Sequence, residues 1–327
     1  SSSPVKSMDA APKSVRAFSA KQGPFDLEYY LKGALSGGIC CAVTHGALTP
    51  VDVVKTRMQL EPAKYPGMIG GFKTVIAEEG AGALLTGFGP TVFGYFVQGW
   101  FKFGGVEFFK INQSQYFGKE TAWEYRVPIY LSSAAMAEFI ADIFLCPLEA
   151  TRIKLVSNPS YAPNMAAAMP KIIKDEGFLK GFYSGFVPIL FKQVPYTMAK
   201  FAVQGVAAEK IAAATGVDMA NSSDSAKLSV SLASGVVAGV AAAIISHPAD
   251  TLLSLINKPG AGGEGSMIVR LGRVASEVGF VKLCTNGLPA RCIMIGSLTA
   301  GQFAIFDIVM SVTGASKFHF EDPKADA

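Results

Sequence analysis

The chain has 327 residues, a net charge of +4, 50% hydrophobic and 17% charged residues, and a mean hydropathy of +0.34. That is too apolar for an ordinary soluble domain and too polar for a bundle of purely lipid-filled spans; helices with one face on lipid and one on water fit. The modest positive charge suits an anionic bilayer or an anionic solute, and no nucleic-acid partner is expected.

Residues 1–27, rich in Ser, Ala and Lys, read as a disordered tail. This composition also suits the remainder of a targeting segment, and an artificial start accounts equally for the missing initiating Met. Six apolar helices are then predicted near 28–58, 87–112, 127–156, 186–212, 227–257 and 288–314. Each exceeds the roughly 20 residues that cross a hydrocarbon core, and tilt absorbs the extra length. They group into three units, 28–120, 121–220 and 221–314, followed by a polar tail, 315–327. Each long loop within a unit holds a short amphipathic run that should form a surface helix stopped by Gly80, Gly177 or Gly279.

Lys and Arg collect in those within-unit loops (Lys64, Lys73, Lys171, Lys174, Lys180, Lys258, Arg270, Arg273, Lys282). Fewer lie between units (Lys119, Arg126, Lys227), so the positive-inside rule assigns the within-unit loops to the side that holds cations.

One pattern recurs at the end of each odd helix: Pro50-Val-Asp52-Val-Val-Lys55, Pro147-Leu-Glu149-Ala-Thr-Arg152 and Pro248-Ala-Asp250-Thr-Leu-Leu253. The spacings are 97 and 101 residues (147−50; 248−147), which marks three copies of one unit. Gly33-x-x-x-Gly37, Gly235-x-x-x-Gly239 and the softer Ser133-x-x-x-Ala137 recur likewise and predict close helix approach. Cys40, Cys41, Cys146, Cys284 and Cys292 have no metal-ligand spacing and read as small apolar packing residues. There is no Walker loop, Rossmann fingerprint or nucleophile elbow, so no enzyme, cofactor or metal centre is expected.

The tripled proline motif resembles that of the mitochondrial carrier family, from about residue 28 to 314. The resemblance implies an all-α monomer of six transmembrane helices in three pseudo-symmetric repeats, with short matrix surface helices, in the inner mitochondrial membrane. The stretches GPTVFGYFVQGWFKFGGVEFFK, AEFIADIFLCPLEATRIK, FKQVPYTMAKF, SHPADTLLSLINK and PARCIMIGSLTAGQF resemble members of that family that carry inorganic phosphate. The implied activity is phosphate transport by alternating access, with a proton or against hydroxide. Another small anion, copper held by Cys40 and Cys41, a leaky pore and a non-transporting assembly protein are the alternatives.

The resemblance also implies two gates. On the matrix side Asp52 would pair with Arg152, and Asp250 with Lys55, with Gln59 as a brace. Glu149 would lack a base because Leu253 stands at the matching position. On the cytoplasmic side Glu107, Lys110 and Asp307 remain of the family pattern, so Lys110 to Asp307 is the one expected bridge. In the loops, Leu85-Thr86-Gly87, Tyr183-Ser184-Gly185 and Thr285-Asn286-Gly287 lack the usual base, which leaves cardiolipin only backbone N–H groups at helix starts.

Charges inside spans are costly unless they meet water or a partner, which makes His45, Lys102, Glu138, Asp142, Lys192, Lys200 and Arg291 candidates for function. Lys192 and Gln193 fall at the fourth-helix position where carriers contact substrate. Gln98 and Lys102 share a face. These four are expected to cradle phosphate, with Arg291 as a later contact or gate element. His45 and Glu138, with Asp142 at the repeat equivalent of His45, are expected to carry the proton.

Overall fold

The computed structural model describes residues 24–320, apart from 62, 66, 159, 220, 221, 257–261, 266 and 286; the side chains of 59, 60, 156, 157, 267 and 268 also lie outside the described residues. The expectations placed on Gln59, Lys258 and Asn286 therefore fall outside what is described. Six long helices carry the architecture: α1 (Leu27–Leu60), α2 (Phe88–Phe117), α3 (Arg126–Ser157), α4 (Phe186–Thr215), α5 (Asp224–Ile256) and α6 (Leu288–Val312). No strand occurs among the described residues. Each long helix packs on the next and α6 returns to α1, so the bundle closes into a ring.

Local signals explain the limits of the elements. Asp26 caps α1, its side chain accepting from the Tyr29 N–H at 2.9 Å. The surface helices Met68–Glu79, Met165–Glu176 and Met267–Val278 stop at Gly80, Gly177 and Gly279. All three glycines have φ near +80°, a conformation that disfavours any other residue. Beyond the predicted elements, short helices follow at Phe178–Tyr183 and Phe280–Thr285, with a 3-10 turn at Ala81–Leu85 and a further turn of helix at Lys119–Glu124. The odd helices run unbroken through Pro50, Pro147 and Pro248.

By length and apolarity alone, four stretches qualify as membrane spans: Leu27–Met58, Arg126–Leu155, Asp224–Ile256 and Phe280–Val312. The α2 region joins them only if it is taken with Met68–Glu79 across a 118° bend. On this criterion α4 falls short of the six spans expected. Its length carries Lys192, Lys200, Glu209 and Lys210 among the apolar side chains.

Small residues set how close the helices come. A Cβ on Gly37 would lie 2.4 Å from the Gly99 carbonyl oxygen, and one on Gly239 would lie 2.6 Å from that of Ile295. Gly33, the other half of its motif, meets nothing within 4 Å and plays no part in the contact. Gly37→Leu should therefore force α1 off α2 and cost about 1–3 kcal/mol, as overpacking generally does. Thermal unfolding in detergent is expected to drop by several degrees for Gly37→Leu and not for Gly33→Ala; equal melting of the two variants would contradict the contact.

Candidate functional site

The even helices start at 88, 186 and 288, offsets of 98 and 102 residues (186−88; 288−186). These offsets turn single residues into three-fold layers stacked along the inside of the ring.

The layer at the proline end holds charges that remain partly exposed. Arg152 reaches Asp52 at 3.4 Å and Glu149 of its own helix at 3.1 Å. Glu149 thus has a base after all, supplied by Arg152 one turn on rather than by the third unit. The expected Asp250–Lys55 pair is not made. Lys55 is exposed, and Asp250 is taken by Arg291 in a close ion pair and by Lys192 at 3.7 Å. Arg291 also donates to Ser246 Oγ at 3.1 Å. In this conformation Arg291 is held by Asp250 and Ser246 and is not a free fork for an anion. Gln193 beside Lys192 is half-buried.

The next layer is sealed. Glu138 of α3, itself 0% exposed, accepts from donors on two neighbouring helices: Lys102 Nζ at 3.0 Å and Gln98 Nε2 at 3.1 Å, both from α2, and Thr197 Oγ1 of α4 at 2.7 Å. Asp142, one turn along α3, is equally buried, and neither of its carboxylate oxygens receives a hydrogen bond. Its repeat equivalent, His45, lies flat on Tyr95 with ring centroids 3.6 Å apart. Lys102, Lys200 and Gln302 are repeat equivalents (102+98; 200+102), one from each even helix. Lys200 is 1% exposed and is bonded to Gln302, which in turn donates to Thr44 Oγ1 at 3.3 Å. Among the described residues no carboxylate lies within ion-pair distance of Lys200.

Directly above sits a second symmetric set, Phe103, Phe201 and Phe303. Their ring centroids are 5.0, 5.5 and 5.7 Å apart, and Phe306 stacks on Phe103. The Lys200 ammonium lies 4.9–5.6 Å from all three rings, an arrangement that favours a cation over the ring faces. This aromatic plug shuts the bundle toward the end where α1 starts and α6 stops.

The outermost layer departs furthest from expectation. Lys110 does not reach Asp307. It pairs with Glu107 of its own helix and donates to the Phe318 carbonyl at 3.0 Å. Asp307 pairs with Lys317 at 3.5 Å and accepts from Ser231. Residues 315–320, expected to begin a polar tail, bury Phe318 and Phe320 in the mouth. Burial, together with Lys317, Lys110 and Lys227, holds the His319 imidazole well below its usual range, so that it stays neutral there.

The predicted cradle is thus split. Lys192 lies eight residues before Lys200 on α4, about 12 Å along the axis, and therefore sits a layer away from Gln98 and Lys102. Sequence reasoning noted Lys200 as a mid-span charge without assigning it, and missed Gln302, Thr44, Thr197 and the phenylalanine ring. The repeat offsets alone could have aligned Lys102 with Lys200 and Gln302.

Comparison with known proteins places this architecture. A family profile described as "Mitochondrial carrier protein" matches residues 27–116 and 124–212. "Mitochondrial substrate carrier family protein N" of Dictyostelium discoideum is 49% identical, covering 87% of this chain and 95% of its own length. The "Probable mitochondrial phosphate carrier protein" of Schizosaccharomyces pombe is 43% identical, over 86% and 89%. "Solute carrier family 25 member 3" of Homo sapiens is 41% identical, over 86% and 75%.

The Lys102–Glu138 pair can be tested directly. Removing one member of a buried ion pair leaves an uncompensated charge and typically costs about 3–5 kcal/mol, whereas replacing both can be nearly neutral. Glu138→Leu should lower thermal stability more than the Lys102→Met/Glu138→Leu double variant. A double variant that loses the sum of both single losses would show that the two groups do not share their charge.

Proposed function

The chain belongs to the mitochondrial carrier family, whose members are transporters rather than enzymes, and on that premise we propose that it carries inorganic phosphate into mitochondria by alternating access. It is a multi-pass protein of the inner mitochondrial membrane, and we read all six long helices as spans. Relatives named as mitochondrial phosphate carriers support phosphate as the solute.

The observation that carries the reading is the sealed ammonium of Lys200. A buried cation without a carboxylate is costly, and an incoming anion removes that cost. Phosphate fits the layer because Lys102 and Lys200 supply charge while Gln302, Gln98 and Thr44 supply further polar groups at the same level. Lys192, at the proline end, is the first cation met from that side and hands the anion inward.

Proton coupling follows from competition for Lys102. Glu138 as a carboxylate is satisfied by Lys102, Gln98 and Thr197. When phosphate draws Lys102 away, Glu138 loses its cation in a dry site and takes a proton instead. Asp142, buried one turn away without a donor, and the half-buried His45 pass that proton. One proton per anion is the result. In this picture the aromatic plug is the closed cytoplasmic gate, and the charges Asp52, Arg152, Asp250 and Arg291 form the matrix gate.

Uptake of labelled phosphate into proteoliposomes, with and without a pH gradient, tests this. Lys200→Met is expected to lower both uptake and phosphate–phosphate exchange at least tenfold. Wild-type rates in a folded Lys200→Met protein would remove Lys200 from the site. Glu138→Gln, which fixes the group as neutral, should lose gradient-driven uptake while exchange, which moves no net proton, survives. Equal loss of the two modes would mean that Glu138 holds phosphate or structure and not the proton.

A further inference from the structure

At the centre of the cytoplasmic mouth the expected Lys110–Asp307 bridge between even helices is not made, and the Glu107–Lys110 pair lies within a single helix. At the repeat equivalents of Glu107 (107+98; 205+102) stand Gly205 and Asp307. Gly205 cannot carry a charge; it is a notch, where a Cβ would lie 2.3 Å from the Tyr130 ring.

The chain end fills what is missing. The Phe318 N–H donates to Glu107 Oε2 at 3.0 Å, and the Phe318 carbonyl accepts from Lys110 at 3.0 Å, so the backbone of one residue caps both members of the pair. Ser316 O accepts from Tyr29 Oη of α1 at 3.1 Å, and that same hydroxyl lies 3.0 Å from Glu107 Oε2. Lys317 reaches Asp307 of α6 at 3.5 Å. Phe320 sets its ring edge-on to Tyr130 of α3, centroids 5.1 Å apart, over the notch at Gly205. Four helices are thereby joined through five residues of chain that belong to none of them.

We infer that Ser316–Phe320 is a gate element in its own right, a latch that stands in for the absent inter-helix bridges and must leave the mouth each time this end opens to admit solute. Opening spreads α1, α2, α3 and α6, and the segment cannot hold all four once they part. Its grip is made of a few hydrogen bonds, one ion pair and two rings, which is of the size that a bound solute can offset. The latch rests on the alternating-access reading only for what drives its release; its anchoring to the mouth stands on geometry alone.

Hydrogen exchange of the Lys317–Phe320 amides, read by mass spectrometry on the full chain in lipid nanodiscs, tests both parts. Buried amides exchange only through opening. Saturating phosphate is expected to speed exchange of this segment about tenfold relative to sulfate, with the α5 core unchanged. Asp307→Asn, which cuts the Lys317 anchor, should speed it without any phosphate. Exchange indifferent to phosphate, in a preparation whose uptake is phosphate-dependent, overturns the proposed release. Exchange unchanged by Asp307→Asn, or already as fast as an unstructured peptide in the wild type, overturns the latch itself. If uptake is absent, the transport reading fails and the Asp307→Asn result still judges the latch.

Discussion

A charge sealed inside an apolar bundle must be paired, hydrated or neutralised, and the interior of this protein is organised around that constraint. Glu138 and Lys102 satisfy one another, with Gln98 and Thr197 filling the remaining positions on the carboxylate. Lys200 and Asp142 do not have that comfort. An unpaired cation and an unpaired acid flank one satisfied pair, and in the transport cycle proposed above a solute anion and a proton balance them. On that proposal binding and coupling are consequences of one electrostatic problem.

The three-fold repeat supplies the geometry and then departs from it where function needs asymmetry. The phenylalanine ring is fully symmetric, because a plug must meet from three sides at once. The layer below it is not: Lys102 and Lys200 face Gln302, and Glu138 has Cys41 and Gly239 as its equivalents (138−97; 138+101). At the matrix gate the same loosening appears as rearranged pairs, with Arg291 of α6 taking the aspartate that the motif would give to Lys55.

The fold was largely legible. Apolar runs of spanning length, surface helices ended by glycine, and the tripled proline motif predicted the elements to within a few residues, because helix length and helix stops are local properties of the chain. Hydropathy was least informative for α4, where a lysine-bearing inner face lowers the apolarity that marks a span. The mid-span charges were also visible one by one, since each is anomalous against its own neighbours.

What the sequence determined by itself was therefore the class, the repeat and the identity of the unusual residues, all of which follow from spacing along one chain. Only the tertiary structure decided who meets whom. Arg152 holds both Asp52 and Glu149, Asp250 turns to Arg291, Lys110 turns back to Glu107, and a segment read as part of a polar tail buries Phe318 and Phe320. Those pairings depend on how closely neighbouring helices approach, set by contacts such as Gly37 on Gly99. An ångström in that packing decides whether a charge reaches its repeat partner or a nearer one, and no local pattern records it.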